Sequence, residues 1–226
     1  GLEHAINIDD LLFEVCIQTQ KKNGEWGSVK RMTTSDDAWR AHPDLAHRTI
    51  AQQISSHHTR CFGYHNGWSS THRIVPSAFP TSLRAMCDSG SCYYRTQPRG
   101  ELRALAWDDG PAWAFRAHVA PVPSDGGQLS FVGKLHRGDE ELSLNECVLT
   151  LRSGLLLARD KLAALHCGDA LDFLMGMRSS GPLLLKRSEI DDFLQTLFRL
   201  PNLPPIDFPA EVGINLMHAS PKPQLR

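Results

Sequence analysis

The sequence predicts an α+β fold, an antiparallel β-meander of about five or six strands over residues 93–160 with helices packed before and after it. Three observations carry this expectation. Between Arg103 and Leu165 apolar and polar residues alternate with period two, as strands with one buried face require. The turn residues between these runs come too close together for the crossover helices of a parallel sheet. From Ser188 to Arg199 the period lengthens to that of a helix, with Ile190, Phe193, Leu194, Leu197 and Phe198 on one stripe that should bury against the sheet.

In chain order, Leu11 to Ile17 reads as a strand entering a turn at Asn23-Gly24, with Trp26 to Met32 as its partner. A helix is expected from Asp44 to Ile54, after His42-Pro43. Ser55 to Ser77 is rich in Ser, His, Gly, Asn and Tyr without aliphatic periodicity and reads as a long irregular loop. Pro80-Thr81 opens a second helix that ends at Asp88-Ser89-Gly90, and Tyr93-Tyr94 starts an extended segment.

The stretch Leu102 to Phe115 then places Trp107 and Trp113 on either side of Asp108-Asp109-Gly110-Pro111, which predicts two strand arms meeting in a tight hairpin. Trp113, Phe115, Ala117 and Val119 share one face, with Arg116 and His118 on the other. Leu129, Phe131, Gly133 and Leu135 mark the opposing strand after a Ser124–Gly127 turn, and Arg137-Gly138-Asp139 turns the chain again. Short strands follow at 141–144, 148–151 and 154–158. Asp169 is expected to cap a short helix carrying Leu171, Leu174 and Met175, and Leu183 to Leu185 make a brief strand or connector. Ser188 with Asp191 resembles a capping box for the last helix. Pro201, Pro204, Pro205 and Pro209 keep the remainder extended. The expected organisation is a mixed helix and loop segment over 1–92, a β-rich core with C-terminal helices over 93–200, and a proline-rich linker over 201–226.

Composition narrows the function classes. With 41% hydrophobic residues the chain can build a core, and 24 basic against 25 acidic side chains exclude a global field that would draw it to nucleic acid or membrane. No run of 18 apolar residues and no secretory leader is present, which places the chain in the cytoplasm and predicts no membrane partner. The 6 cysteines, at 16, 61, 87, 92, 147 and 167, are too sparse for a disulfide scaffold. A start at Gly1 without an initiator methionine, and a stop at Arg226 within the proline-rich tail, read as the ends of a fragment.

Phosphate-loop, dinucleotide, H-E-x-x-H and G-x-S-x-G patterns are absent, so no catalytic residue, cofactor or metal ligand is assigned. Asp108-Asp109 could serve as paired carboxylates, but turn chemistry accounts for them. The segment from His57 to Arg73 holds the candidate binding residues. Arg60, His65, Trp68 and Arg73 interleave basic and aromatic side chains, a composition suited to phosphate contact and base stacking in DNA, and equally to a solvated mixed-charge surface. Arg95, Arg99 and Arg103 follow close behind. The same segment allows a zinc-dependent alternative, with Cys61 and His65 as one ligand pair and Cys87 and Cys92 as the other.

The runs L-R-A-M-C-D-S-G-S-C-Y-Y at 83–94, L-A-W-D-D-G-P-A-W-A-F-R at 105–116 and G-K-L-H-R-G-D-E-E-L-S-L at 133–144 resemble the region ahead of the motor in bacterial Swi/Snf-type helicase-like ATPases, of the DEAD/DEAH-box superfamily. G-L-L-L-A-R-D-K-L-A-A-L at 154–165 and L-P-N-L-P-P-I-D-F-P at 200–209 are similar to the same region, so the resemblance spans roughly residues 42–226. It implies a non-catalytic N-terminal accessory domain of a DNA-translocating ATPase that contacts DNA or partner proteins and positions the motor. The adjacent motor domain of the same polypeptide would then be a partner, its two RecA-like lobes beginning after Arg226. The zinc-binding SWIM motif carried by some relatives is not matched. The other reading is a self-contained protein-interaction module.

Overall fold

The computed structural model describes residues 12–14, 16–17, 20–25, 27–28, 30–31, 42–56, 58–59, 71–74, 76–97, 100–122 and 127–209. Its first elements are β1 (Leu12–Glu14), β2 (Cys16–Ile17), β3 (Lys30–Arg31), helix α1 (Leu45–Ser56), β4 (His58–Thr59), β5 (Thr71–Ile74) and α2 (Phe79–Asp88). Short strands β6 (Tyr93–Tyr94), β7 (Arg103–Ala104) and β8 (Ala106–Trp107) lead to the long β9 (Trp113–Pro121) and β10 (Gln128–Arg137). Then come β11 (Glu140–Ser143), β12 (Cys147–Leu151), β13 (Leu155–Ala158), β14 (Lys161–His166), α3 (Leu171–Ser180), β15 (Leu183–Lys186), α4 (Ile190–Leu197) and β16 (Ile206–Asp207). The chain divides into two units, Gly1–Ala112 with Glu146–Leu165, and Trp113–Asn145 with His166–Arg226.

In the first unit β2 pairs antiparallel with β3 across a turn that uses the positive φ of Gly24 (84°), so of the strand expected over Leu11 to Ile17 only Cys16–Ile17 takes the expected partner. The segment expected as one irregular loop over 55–77 instead holds β4 and β5, which pair with each other, and β1 joins β5 to make a three-stranded sheet. Strand pairing satisfies backbone groups whether or not the side chains show apolar periodicity, so composition alone could not reveal it. Helix α2 starts with Pro80 in its first turn and buries Phe79, Leu83, Met86 and Cys87. These pack with Leu105 and with Leu151, Leu155, Leu157 and Leu162 of the β12–β13–β14 meander.

The hairpin expected between Trp107 and Trp113 does not form. Asp108 does make the turn, its Oδ1 accepting the Gly110 N–H at 2.9 Å. Strand β8, however, lies parallel to β14 with Ala106 opposite Lys161 and Trp107 opposite Leu162, whereas β9 runs antiparallel to β10. Strand β14 has the composition of a helix, Lys-Leu-Ala-Ala-Leu-His, yet pairs with β13 from Ala158↔Lys161 to Leu155↔Ala164. The two-residue turn Arg159-Asp160, at φ of 50° and 61°, fixes that hairpin with the twist its strands require.

The second unit is built on the β9–β10 ladder, in register from Leu129↔Pro121 to His136↔Ala114. Trp113, Phe115, Ala117 and Val119 are buried and the residues between them half-buried, as period two demands. Strands β11 and β15 pair antiparallel with the two ends of β10, and β16 pairs parallel with β9. The sheet in each unit is thus mixed, which corrects the purely antiparallel meander. Two-residue parallel additions at an edge leave no hydrophobic pattern of their own. The proline-rich segment, expected to be extended, first bends at 201–202, where Asn202 takes a φ of 59°, and then runs without a helix into β16, the Pro205 carbonyl accepting the Ala117 N–H at 2.9 Å.

The helix caps also differ from expectation. Asp169 does not cap α3, which is entered through a 3₁₀ turn at Gly168–Ala170 with no side-chain cap. Ser188 and Asp191 do not form the box at α4. Glu189 accepts the Lys186 N–H at 3.2 Å instead, because residues 187–189 form a 3₁₀ turn that shifts the helix start. The predicted stripe does bury, Ile190, Leu194 and Leu197 packing with Ala117, Val119, Leu129, Phe131 and Leu185, while Phe198 lies past the helix end and is 47% exposed.

Gly133 sits where a Cβ would lie 2.7 Å from Leu144 Cδ1 and 2.9 Å from the Phe115 ring. Gly133→Ala is therefore expected to overpack this core and cost about 1–3 kcal/mol in a urea titration. Wild-type stability in the alanine variant would show that the ring has room to move.

Candidate functional site

The register that buries Trp113, Phe115, Ala117 and Val119 turns Arg116 and His118 of β9, and Lys134 and His136 of β10, to the other face. Lys134 stands directly opposite Arg116, two like charges that would repel across the ladder. Carboxylates from the flanking strands relieve this. Strand β16 sets Asp207 beside His118, and β11 sets Glu141 opposite His136.

Arg116 engages Asp207 through two bonds, Nε to Oδ2 at 2.8 Å and a short one from Nη2 to Oδ1. Lys134 Nζ donates to Glu141 Oε2 at 2.7 Å. Between these ion pairs the two imidazoles meet, Nε2 to Nε2 at 2.6 Å, although the register pairs His118 with Val132 and His136 with Ala114. The contact therefore runs across a long diagonal of the ladder. His118 Nδ1 lies 3.5 Å from Asp207 Oδ2, and His136 Nδ1 lies 3.7 Å from Glu141 Oε1.

The electrostatics follow from these contacts. The Arg116 guanidinium holds the Asp207 carboxyl below the usual range, and the Lys134 ammonium does the same for Glu141. Burial pushes His118 down, and the ammonium of Lys134 adds to it against the opposing pull of Asp207. A neutral imidazole pair shares one N–H between the facing nitrogens and offers lone pairs to a metal ion. One ligand atom from each of His118, His136 and Asp207 lies within 4.8 Å of the others.

The residues singled out in the sequence fall elsewhere. Arg60, His65 and Trp68 lie outside the described residues. Arg73 is on β5, its backbone opposite Leu12 and Thr59. Of the zinc alternative, Cys61 and His65 are likewise outside, while Cys87 and Cys92 come together. The Cys87 thiol donates to the Cys92 sulfur, which raises Cys87 and lowers Cys92. The His118–His136–Asp207 group was missed. Its signal was two histidines at outward positions of adjacent strands, but their meeting depends on register, and Asp207 lay in what read as a linker.

A scan against protein-family models, a search of curated proteins and a search of solved structures found no match to this chain.

A pH dependence follows with a definite sign. His118 titrates below its ordinary value of 6.5 when folded, so the unfolded chain takes up a proton first and stability falls as pH drops below 6.5. Asp207 and Glu141 titrate below their ordinary 3.8 and 4.5, so the stability they supply is present above those values and is lost as pH falls through their lowered ones. Thermal melts of His118→Gln across pH are expected to lose part of the first decline and keep the second.

Proposed function

We propose that this chain is a non-catalytic accessory module of a Swi/Snf-type ATPase that works by binding protein, including the motor domain of its own polypeptide. The observation that carries the binding mode is strand β15. It pairs with β10 through Gln128↔Lys186 to Phe131↔Leu183, and among the described residues its other side has no strand partner. Leu183 and Leu184 are 46% and 59% exposed there. An open edge carrying exposed leucines is suited to adding a strand from a protein partner. The outer face of β9 and β10 favours protein over DNA for a complementary reason, since Arg116 and Lys134 already bond to Asp207 and Glu141. The family part of the reading rests on the sequence resemblance set out above.

Three measurements test this. The purified chain is expected to hydrolyse no ATP with or without DNA, and measured turnover would overturn the non-catalytic reading. A labelled duplex titrated at low and high salt is expected to show no salt-sensitive binding, and a steep salt dependence would move the function to DNA. Coding sequence downstream of the Arg226 codon is expected to carry helicase motifs, and a gene without them would remove the family assignment.

A further inference from the structure

We propose that His118, His136 and Asp207 form a binding site for a divalent transition-metal ion of the zinc class. The donor set is two imidazoles and a carboxylate, the combination that suits zinc and its neighbours rather than magnesium or calcium. The three ligands come from three adjacent strands, β9, β10 and β16, whose backbone pairing fixes where each side chain starts.

The geometry needs little change to accept such an ion. Tetrahedral zinc with bonds of about 2.0–2.1 Å places its ligands roughly 3.3 Å apart. The facing Nε2 atoms, now 2.6 Å apart, would separate by about 0.7 Å as each ring turns to aim its lone pair at one centre. Asp207 Oδ2 lies 3.5 Å from His118 Nδ1, and one ligand atom of each of the three residues lies within 4.8 Å of the others, so a side-chain torsion of Asp207 would bring a carboxylate oxygen to the ion. Arg116 does not preclude this. Its two bonds take one lone pair on each Asp207 oxygen, and a carboxylate has about four acceptor positions.

A supporting group is already in position. Glu141 Oε1 faces His136 Nδ1 at 3.7 Å, the nitrogen that must carry the proton when Nε2 binds metal. Because the two neutral rings each hold one proton, loading the site moves these protons from Nε2 to Nδ1 where needed and requires no redox partner. The ion would join β16 to β9 and β10, so binding would stabilise the fold in proportion to metal concentration.

The test uses the whole chain, cleared of metal with a chelator. Calorimetric titration with ZnCl2 is expected to show one tight site, absent with MgCl2, together with a rise in Tm. Cobalt substitution is expected to give the visible absorption of a tetrahedral nitrogen and oxygen site. His136→Gln should abolish tight binding, and Glu141→Gln should weaken it about tenfold. Circular dichroism checks that each variant is folded, and the wild-type cobalt spectrum decides the question if one is not. Absence of zinc binding, unchanged binding in folded His136→Gln, or a thiolate-to-cobalt charge-transfer band, which would assign the ion to Cys87 and Cys92, overturns the proposal.

Discussion

The antiparallel ladder between β9 and β10 is the constraint on which the second unit depends. Because side chains alternate across it, one register decides both what is buried and what is displayed. A slip of β9 by one residue would send Trp113 and Phe115 to the outer face and Arg116 and His118 into the core. The inner face is held against this by α3 and α4, where Phe131 meets Phe173 edge-on at 6.2 Å and Phe193 at 5.1 Å. Such aromatic pairs contribute about 0.5–1.5 kcal/mol each beyond their buried area, in a geometry that a slipped register would lose.

The outer face is governed by charge, and its order of effects is clear. Exposed ion pairs contribute little individually, so the Arg116–Asp207 and Lys134–Glu141 pairs matter more for position than for stability. They cancel the repulsion between Arg116 and Lys134 and hold β16 and β11 where Asp207 and Glu141 flank the imidazoles. On the inner face, at the end of β10, Arg137 is drawn over the Trp113 ring at 4.4 Å to its centroid and so adds no cation to the outer face. The consequence is a polar surface whose cations are already satisfied, with two half-buried imidazoles at its centre.

In the first unit the corresponding role falls to the Arg159-Asp160 turn. Both residues adopt positive φ, and their side chains are engaged, Arg159 with Glu146 at 2.7 Å and Asp160 with the Tyr94 hydroxyl and Arg103. The turn thereby connects the β13–β14 hairpin to β6 and β7. Arg84 reaches Asp109 at 2.6 Å and lies over Trp107, so the Asp108–Pro111 stretch is a structural corner of this unit. Its acidic pair serves turn geometry and an ion pair.

Where a pattern is written in consecutive residues, the sequence by itself determined the outcome. The period-two runs at 113–119 and 129–135 became β9 and β10, the turn at Arg137-Gly138-Asp139 formed with Gly138 at φ 57°, and the stripe from Ile190 to Leu197 buried as a helix face. These depend on local alternation and on turn residues, which neighbouring side chains encode. The tertiary structure alone decided the partners: β8 beside β14, β16 beside β9, and β14 as a strand despite its helical composition. It also decided the meeting of His118, His136 and Asp207, because a contact across strands depends on register and edge pairing, to which residues distant in the chain contribute and for which no local periodicity exists.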